Sequence, residues 1–395
     1  MSSTLFQETN LPLNPADYPN EIIGVDSMKS TGAQGRIPEL DGLRGIAVLM
    51  VISFHYINNQ LVNAGSRWGQ ILYKLTSFGW VGVDLFFVLS GFLIGTILMR
   101  NRGSKNYFST FYLRRVVRII PNYYLLIAVF VIINFIPVFA SDYFLAGDRV
   151  IPVWAYLLMV HNIFIAHLQN FGTTSVSVTW SIGVEEQFYI VFPLLVFLLK
   201  EKWLPLILGA AIIIAPLIRM QYDNWIPPYV LLPCRMDSIA FGAMIAYVNH
   251  FYSLSAVVKK YLVPIVAVLV LDALICGYLF IRYADLGVMR NTLFAIIFSG
   301  MVVFALVYKN SVYGAILRYK KLVWIGVISY SLYLFHSIIL GMCKAIAGSI
   351  GSNNLETWKG GAVSIAALVL SIGFSWLVYK KLETPFVSFG KRFKY

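Results

Sequence analysis

Charge is what this chain has least of. Only 12% of its 395 residues are charged, against 59% hydrophobic, and the mean hydropathy is +0.74. A soluble domain carries about twice that charged fraction, so a water-soluble globular fold of this length is excluded and a polytopic membrane protein remains. Acid is scarcer than base, 18 Asp and Glu against 31 Lys and Arg, for a net charge of +13. In so apolar a chain, cytoplasmic-loop positives and anionic headgroups account for that excess better than nucleic acid does, and no nucleic-acid partner is expected. The three cysteines, Cys234, Cys276 and Cys343, lie in or beside apolar runs without paired spacing. That excludes a disulfide framework or a zinc pattern, and no metal is expected. The first 36 residues lack the basic, apolar, small-residue order of a cleavable signal and read as a mobile cytoplasmic tail. The two-fold internal repeat that many secondary transporters carry is missing too.

What is present is a series of apolar runs near 43–61, 79–99, 119–139, 187–200, 203–220, 229–248, 261–281, 290–308, 322–343 and 361–379. A further stretch, 151–166, contains Pro152 and His161 and reads as spanning or re-entrant. Loop charge separates the two counts. With ten spans and the N-terminus inside, the acid-free cluster Arg100, Arg102, Lys105, Arg114, Arg115 and Arg118 falls on the cytoplasmic side with most of the other basic residues. An eleventh span would put the basic tail outside. The positive-inside rule therefore predicts an all-α fold of about ten transmembrane helices with both termini cytoplasmic. Residues 140–185 become an external segment partly dipped into the membrane. Three regions follow: a tail at 1–36, a membrane domain at 37–386 and a basic cytoplasmic tail at 387–395.

The stretch LDGLRGIAVLMVISFHY, 40–56, organises the rest. Arg44 and His55 are eleven residues apart, which on an α-helix leaves an angular offset of only ~20° and a rise of about 16 Å. Both face one way, and the spacing is roughly half of a ~30 Å hydrocarbon core. Ionisable groups at such depth face a cavity or a partner, which is the functional reading. An arginine reaching for headgroups and a histidine bonded to a neighbouring helix is the plainer one. Imidazole accepts and returns a proton near neutral pH. Asp41 either orients Arg44 or, as preferred, caps the helix.

Other stretches carry chemistry in a similar two-sided way. Asp84 is a lone carboxylate in GWVGVDLFFVLSGFLIG, where Ser90, Gly91 and Gly95 make a small-residue face for close helix approach. Arg114, Arg115 and Arg118 precede Pro121, which suits a kinked or starting helical turn. Their forked donors match phosphate oxygens, although a cluster that only fixes orientation is the alternative. In TWSIGVEEQFYIVFP, Glu185 and Glu186 open a span between Trp180 and the Phe188–Tyr189 pair. Adjacent residues point ~100° apart, so only one readily faces the bundle interior, and helix-dipole compensation is the plain account. Arg235 and Asp237 are wrongly spaced for a same-face ion pair, so each is expected to have its own partner. His336 reads as a bonded packing residue before a catalyst, and Glu383 with Pro385 as a helix-terminus signal.

Taken in order, LDGLRGIAVLMVISFH, GWVGVDLFFVLSGFLI, FYLRRVVRIIP, TWSIGVEEQFYIVFP, CRMDSIAFG, ISYSLYLFH and LETPF resemble the acyltransferase-3 family of integral-membrane O-acyltransferases, which includes polysaccharide and lipopolysaccharide O-acetylases. The resemblance implies transfer of an acyl group, commonly acetyl from acetyl-CoA, to a hydroxyl of a carbohydrate or glycoside acceptor. No permanently bound cofactor is implied; acyl-CoA is the donor substrate. The family's arginine–histidine motif falls on Arg44 and His55 and its arginine-rich motif on Arg114, Arg115 and Arg118. Its third motif falls on Trp180, Ser181, Glu185, Phe188 and Tyr189, with Ile182 in place of the usual leucine. The implied catalytic set is His55, as general base on the acceptor hydroxyl or as a transient acyl-imidazole, with Arg44 and Glu185, and the donor clamp is Arg114, Arg115 and Arg118. Acceptor-side candidates are Trp180, Ser181, Tyr189, Asp84, Arg235 and Asp237. Some relatives carry an extracytoplasmic domain after the membrane part; with this sequence stopping at Tyr395, acceptor recognition is expected from the membrane unit or a separate protein. Membrane lipid is a partner, and a bacterial cytoplasmic (inner) membrane is the expected location. A transporter or flippase for a sugar-linked lipid, with Arg44, His55 and Glu185 lining its path, is the competing class.

Overall fold

Apolar runs of this length must satisfy their own backbone in lipid, and helices do so within one segment. The computed structural model describes residues 36–133, 135–136, 138, 151–283, 287–348 and 355–395, and the secondary structure among them is helical, without strands. The long helices are α1 (Pro38–Tyr56), α2 (Gly82–Arg100), α3 (Tyr107–Ile133), α4 (Trp180–Leu198), α5 (Leu204–Arg219), α6 (Leu232–Phe251), α7 (Leu262–Tyr283) and α8 (Arg290–Val307). They are followed by α9 (Lys320–Val327), α10 (Ser329–Ile346), α11 (Trp358–Val378) and α12 (Thr384–Gly390). Among the described residues nine helical segments are long and apolar enough to cross a membrane, and a tenth follows if α9 and α10, bent by 72°, are one span. These correspond in order to the ten apolar runs. The stretch 151–166 divides into Val153–Leu157 and the start of His161–Leu168, each too short to cross. The tail expected at 1–36 lies outside the described residues apart from its last position, as does the 140–150 part of the expected external segment.

Three helix starts differ from the sequence expectation. α1 begins at Pro38, so Asp41 sits in its first turn, against the positive end of the helix dipole, and not at the cap. α3 begins at Tyr107 and runs through Pro121, so the arginines lie inside a continuous helix and not at its start. Tertiary contacts hold the helix on both sides of its proline: Tyr107 donates to the Pro193 carbonyl (3.1 Å), and Tyr123 to the Tyr156 carbonyl (2.8 Å). α4 begins at Trp180, which moves Glu185 and Glu186 into its second turn, beyond the strongest part of the dipole.

The centre of the bundle is the crossing of α2 with α6. Here glycine is required by close approach. A Cβ at Gly91 would lie 2.0 Å from the Ile239 carbonyl oxygen, and one at Gly242 would lie 1.9 Å from that of Val88. The expected small-residue face is thus the contact surface, except that Ser90 turns to another partner. α7 lies at the periphery with Val263, Val268, Leu271 and Leu274 exposed, the surface a spanning helix presents to lipid.

Candidate active site

Side chains from α1, α2, α3, α4 and α10 enclose one cavity with about 810 Å³ of empty space, open solvent at its mouth included. Its charged lining is Arg44 from α1, Arg115 and Arg118 from α3, and Glu185 from α4. All three arginines act electrostatically on Glu185. Tyr189, one turn further along α4, donates to Glu185 Oε2 (3.0 Å), and Ser90 Oγ, 2.9 Å from the Tyr189 hydroxyl, is left to donate to it. The Arg115 guanidinium carbon lies 5.8 Å from the Tyr189 ring centroid and 5.8 Å from that of Phe111. Among the described residues Arg115 Nε and the Ser329 hydroxyl are buried without a hydrogen-bond partner. Both residues line the cavity. The site is therefore cationic and rich in unused donors, as an anionic ligand requires.

The opposite wall carries Ser181, Tyr330 and Tyr333. Tyr333 donates to the Val178 carbonyl (2.8 Å), so Ser181 Oγ, 2.8 Å away, is the donor to the Tyr333 hydroxyl. One turn along α10 is His336, its ring centroid 5.9 Å from that of Tyr333. Next to it is His55, with ring centroids 4.9 Å apart and planes at 71°. His55 Nδ1 is 2.9 Å from the Val51 carbonyl, and His336 Nδ1 is 2.7 Å from that of Tyr333. A carbonyl only accepts, so each Nδ1 holds the proton and each neutral ring keeps its Nε2 as the basic nitrogen. Tyr56 joins this pair to the frame by donating to the His336 carbonyl (2.8 Å), and its hydroxyl is also 2.8 Å from Ser371 Oγ on α11.

The sequence candidates therefore fall into groups. Arg44, Arg115, Arg118, Ser181, Glu185 and Tyr189 share the cavity. His55 is not on its wall. It lies in the last turn of α1, because that helix ends at Tyr56, and about 25 Å from the helix start, where midway across was expected. Its neighbour at that level is α10, whereas Arg44 looks across to α3 and α4; the two residues share a helix face but not surroundings. Arg114 also lies off the cavity. It donates to the Phe393 carbonyl and stacks on Tyr395 at 5.0 Å, held by the chain after α12.

Asp84, Arg235, Asp237 and Trp180 form a separate polar core. Arg235 Nη2 bonds Asp84 Oδ1 at 2.9 Å, and its guanidinium carbon is 5.3 Å from the Phe87 ring, 5.6 Å from Trp180 and 5.3 Å from Tyr229. Asp237 instead pairs with Arg219 at 2.9 Å, so each member of the Arg235/Asp237 doublet does have its own partner. Residues the sequence reading underweighted are Arg219, which it passed over, His336, treated as packing, and Glu383, treated as a terminus. Glu383 is buried, and its Oε2 accepts from Asn122 (3.1 Å) and Ser331 (3.0 Å). A histidine or carboxylate inside an apolar run was the available signal for the last two.

The chain is 28% identical to the peptidoglycan O-acetyltransferase OatA of Listeria monocytogenes, over 93% of this chain and 59% of the relative. It is 26% identical to the O-acetyltransferase OatA of Staphylococcus aureus, over 88% of this chain and 57% of the relative. The chain thus spans under three fifths of the length of these curated relatives. No solved structure is a significant match. The family profile described as an acyltransferase domain matches residues 37–380, nearly all of the helical bundle, and the chain belongs to the acyltransferase-3 family.

Proposed function

We propose that this chain is a membrane-embedded O-acyltransferase that moves an acyl group, acetyl in the first instance, from acyl-CoA to a sugar hydroxyl. The observation that carries the reading is a cavity lined by Arg44, Arg115, Arg118 and Glu185 whose wall residue Tyr333 adjoins the His55–His336 pair. Both termini are cytoplasmic in this reading, because the positive-inside rule puts the arginine-rich end of α3 on the side where acyl-CoA is made. Arg115 and Arg118 hold donor phosphates, and Arg44 positions the donor arm on its way to the wall at Tyr333. Arg114, occupied by the Phe393 carbonyl, supports the local fold of α3 and is no longer counted in the clamp.

His55 is the base. Its Nε2 takes the proton of the acceptor hydroxyl, the oxygen forms a bond to the acyl carbon, and the carbon–sulfur bond breaks. The CoA thiolate leaves and recovers the proton from imidazolium. General base catalysis of this kind contributes about 10²–10⁴-fold. Glu185, linked through Tyr189 to Ser90, orients the polar lining of the donor cavity. That a relative is a peptidoglycan O-acetyltransferase points to a glycan of the peptidoglycan class as acceptor, and a bacterial cytoplasmic membrane fits that acceptor. The test is His55→Ala in membranes of a cell that depends on this chain for glycan O-acetylation. Base-labile acetate on the glycan should vanish while the protein still inserts; unchanged acetate sinks the proposal.

A further inference from the structure

One part of the cavity wall has no task in the proposed reaction. At Ile328 the chain bends by 72° from α9 into α10, an 18-residue helix whose first residues, Ser329 and Tyr330, line the cavity. Ile328 is the cap residue and makes no side-chain cap bond. The first main-chain bond of α10 runs from the Leu332 N–H to the Ile328 carbonyl at 2.9 Å. The N–H groups of Ser329, Tyr330 and Ser331 therefore have no acceptor inside the helix, and they form the positive end of its dipole. A second observation at the same place is the Ser329 side chain. It is fully buried, and its hydroxyl has no partner among the described residues. A helical serine can turn its hydroxyl back to the carbonyl four residues earlier; here that residue, Ile325, lies in α9, across the bend. Arg115 Nε, also buried without a partner among the described residues, lines the same cavity with Arg118. Of the acids nearby, Glu185 accepts from Tyr189, and Glu383 meets α10 through the Ser331 hydroxyl, ~200° around the helix from Ser329.

We infer that the N-terminus of α10, with the Ser329 hydroxyl, is the seat of the donor's pyrophosphate. The inference rests on the acyl-CoA reading and adds to it a seat without formal charge and the phosphate group that fills it. Ser329 Oγ–H and the main-chain N–H groups of the first turn donate to the phosphate oxygens, as helix starts do for anions, while Arg115 and Arg118 bind from α3. The 3′-phosphate is at the nucleotide end of CoA, farthest from the thioester, and stays at the mouth. The pyrophosphate joins the nucleotide to the pantetheine arm and is the group that reaches a buried wall. Ser329 and His336 are seven residues apart on α10, about 10 Å of helix rise, and the His55 ring adjoins that of His336. An arm that starts at this seat therefore runs along α10 past Tyr333 toward the base.

The experiment uses the full chain in lipid nanodiscs, with chitopentaose as acceptor and three donors. These are acetyl-CoA, acetyl-dephospho-CoA, which lacks only the 3′-phosphate, and S-acetylpantetheine, which has no phosphate. Ser329→Ala should lower kcat/KM about 10-fold for both CoA donors, the worth of one hydrogen bond to a charged group. The loss should lie in KM, with kcat within about twofold. S-acetylpantetheine should serve wild type and Ser329→Ala equally, and Ser329→Thr, which keeps the hydroxyl, should recover acetyl-CoA use. Unchanged kcat/KM for acetyl-CoA in Ser329→Ala overturns the inference. So does an equal loss with S-acetylpantetheine, which would make Ser329 a packing residue, or a loss confined to acetyl-CoA, which would move it to the 3′-phosphate. Protection by CoA against heating separates the seat from the reaction. If Ser329→Ala needs about 10-fold more CoA than wild type for half-protection, the seat stands even where an active His55→Ala removes the mechanism at His55. If the two are protected equally, the seat fails and the reaction is untouched.

Discussion

Two polar clusters inside this bundle are built on opposite principles. In the first, Asp237 Oδ2 accepts from Arg219 (2.9 and 3.0 Å) and from Thr292 (2.6 Å), and its Oδ1 accepts from the Ser238 N–H (3.0 Å). Arg219 in turn donates to the carbonyls of Val288 (2.7 Å) and Cys234 (2.6 Å). Both side chains are inaccessible, at 2% and 0% exposure. In the second cluster, around the cavity, Arg115 Nε, the Ser329 hydroxyl and His336 Nε2 are buried with no partner among the described residues. A saturated buried ion pair has nothing left to offer a ligand, and its role is to fasten α5, α6 and α8 together. A buried group with spare capacity is stable only if something else completes it. Partner saturation, more than charge or depth, separates the Arg219–Asp237 pair from these groups at the cavity.

The comparison breaks most visibly if the saturated cluster is opened. Asp237→Ala leaves Arg219 charged and buried, a change that costs about 3–5 kcal/mol, and the yield of inserted, heat-resistant protein should collapse. Arg219→Met with Asp237→Leu removes both charges and should restore most of that yield. A stable Asp237→Ala protein that had lost only acyl transfer would move Asp237 into the reacting site and dissolve the distinction. At the cavity the expectation is reversed. Arg115→Ala or Arg118→Ala should insert normally, because neither is sealed in a closed pair. Each should weaken CoA binding about 10–100-fold, the worth of a charge-assisted hydrogen bond. Protection of the purified protein by CoA against heating measures this directly; unchanged protection in both variants would remove the cavity from donor binding.

How much of this could be read from the sequence depends on distance along the chain. The helix count and the separate partners of Arg235 and Asp237 follow from period and spacing, which are local properties. The same-face argument for Arg44 and His55 gave the right direction but not the surroundings, since α3 and α4 meet one end of that face and α10 meets the other. Tyr56, the last residue of α1, donates its hydroxyl to the His336 carbonyl, 280 residues away, and no local pattern encodes that contact. His336 looked like packing for the same reason: its meaning lies in a ring on another helix. Glu383 resembled a terminus because a carboxylate beside Pro385 normally is one, whereas α3 and α10 supply Asn122 and Ser331 to receive it. Arg219 carried no signal, ending an apolar run where a basic residue is routine.

Glu356 sharpens the comparison from the exposed side, with the smallest expected effect. Its carboxylate is saturated in the open, accepting from the backbone N–H of Gly65 and of Ser66 at 2.8 Å each. Ser66 is also the cap of the helix Arg67–Thr76, accepting from the Gly69 N–H at 3.0 Å. The Ser66 hydroxyl and these two N–H groups favour the charged form and hold Glu356 below the usual carboxylate range. A group lowered on folding adds stability at pH above its unfolded value and loses that contribution as pH falls through its folded value. The clasp between the segment before α11 and this capped turn should therefore be closed at neutral pH and open in acid. Amide exchange, corrected for the intrinsic rate at each pH, should show Gly65 and Ser66 losing protection on acidification, while Glu356→Gln lacks that protection at every pH. Equal protection in the two proteins at neutral pH would mean that the carboxylate adds nothing there. Saturation would then matter only where water is excluded, because exposed N–H groups find water as readily as they find Glu356.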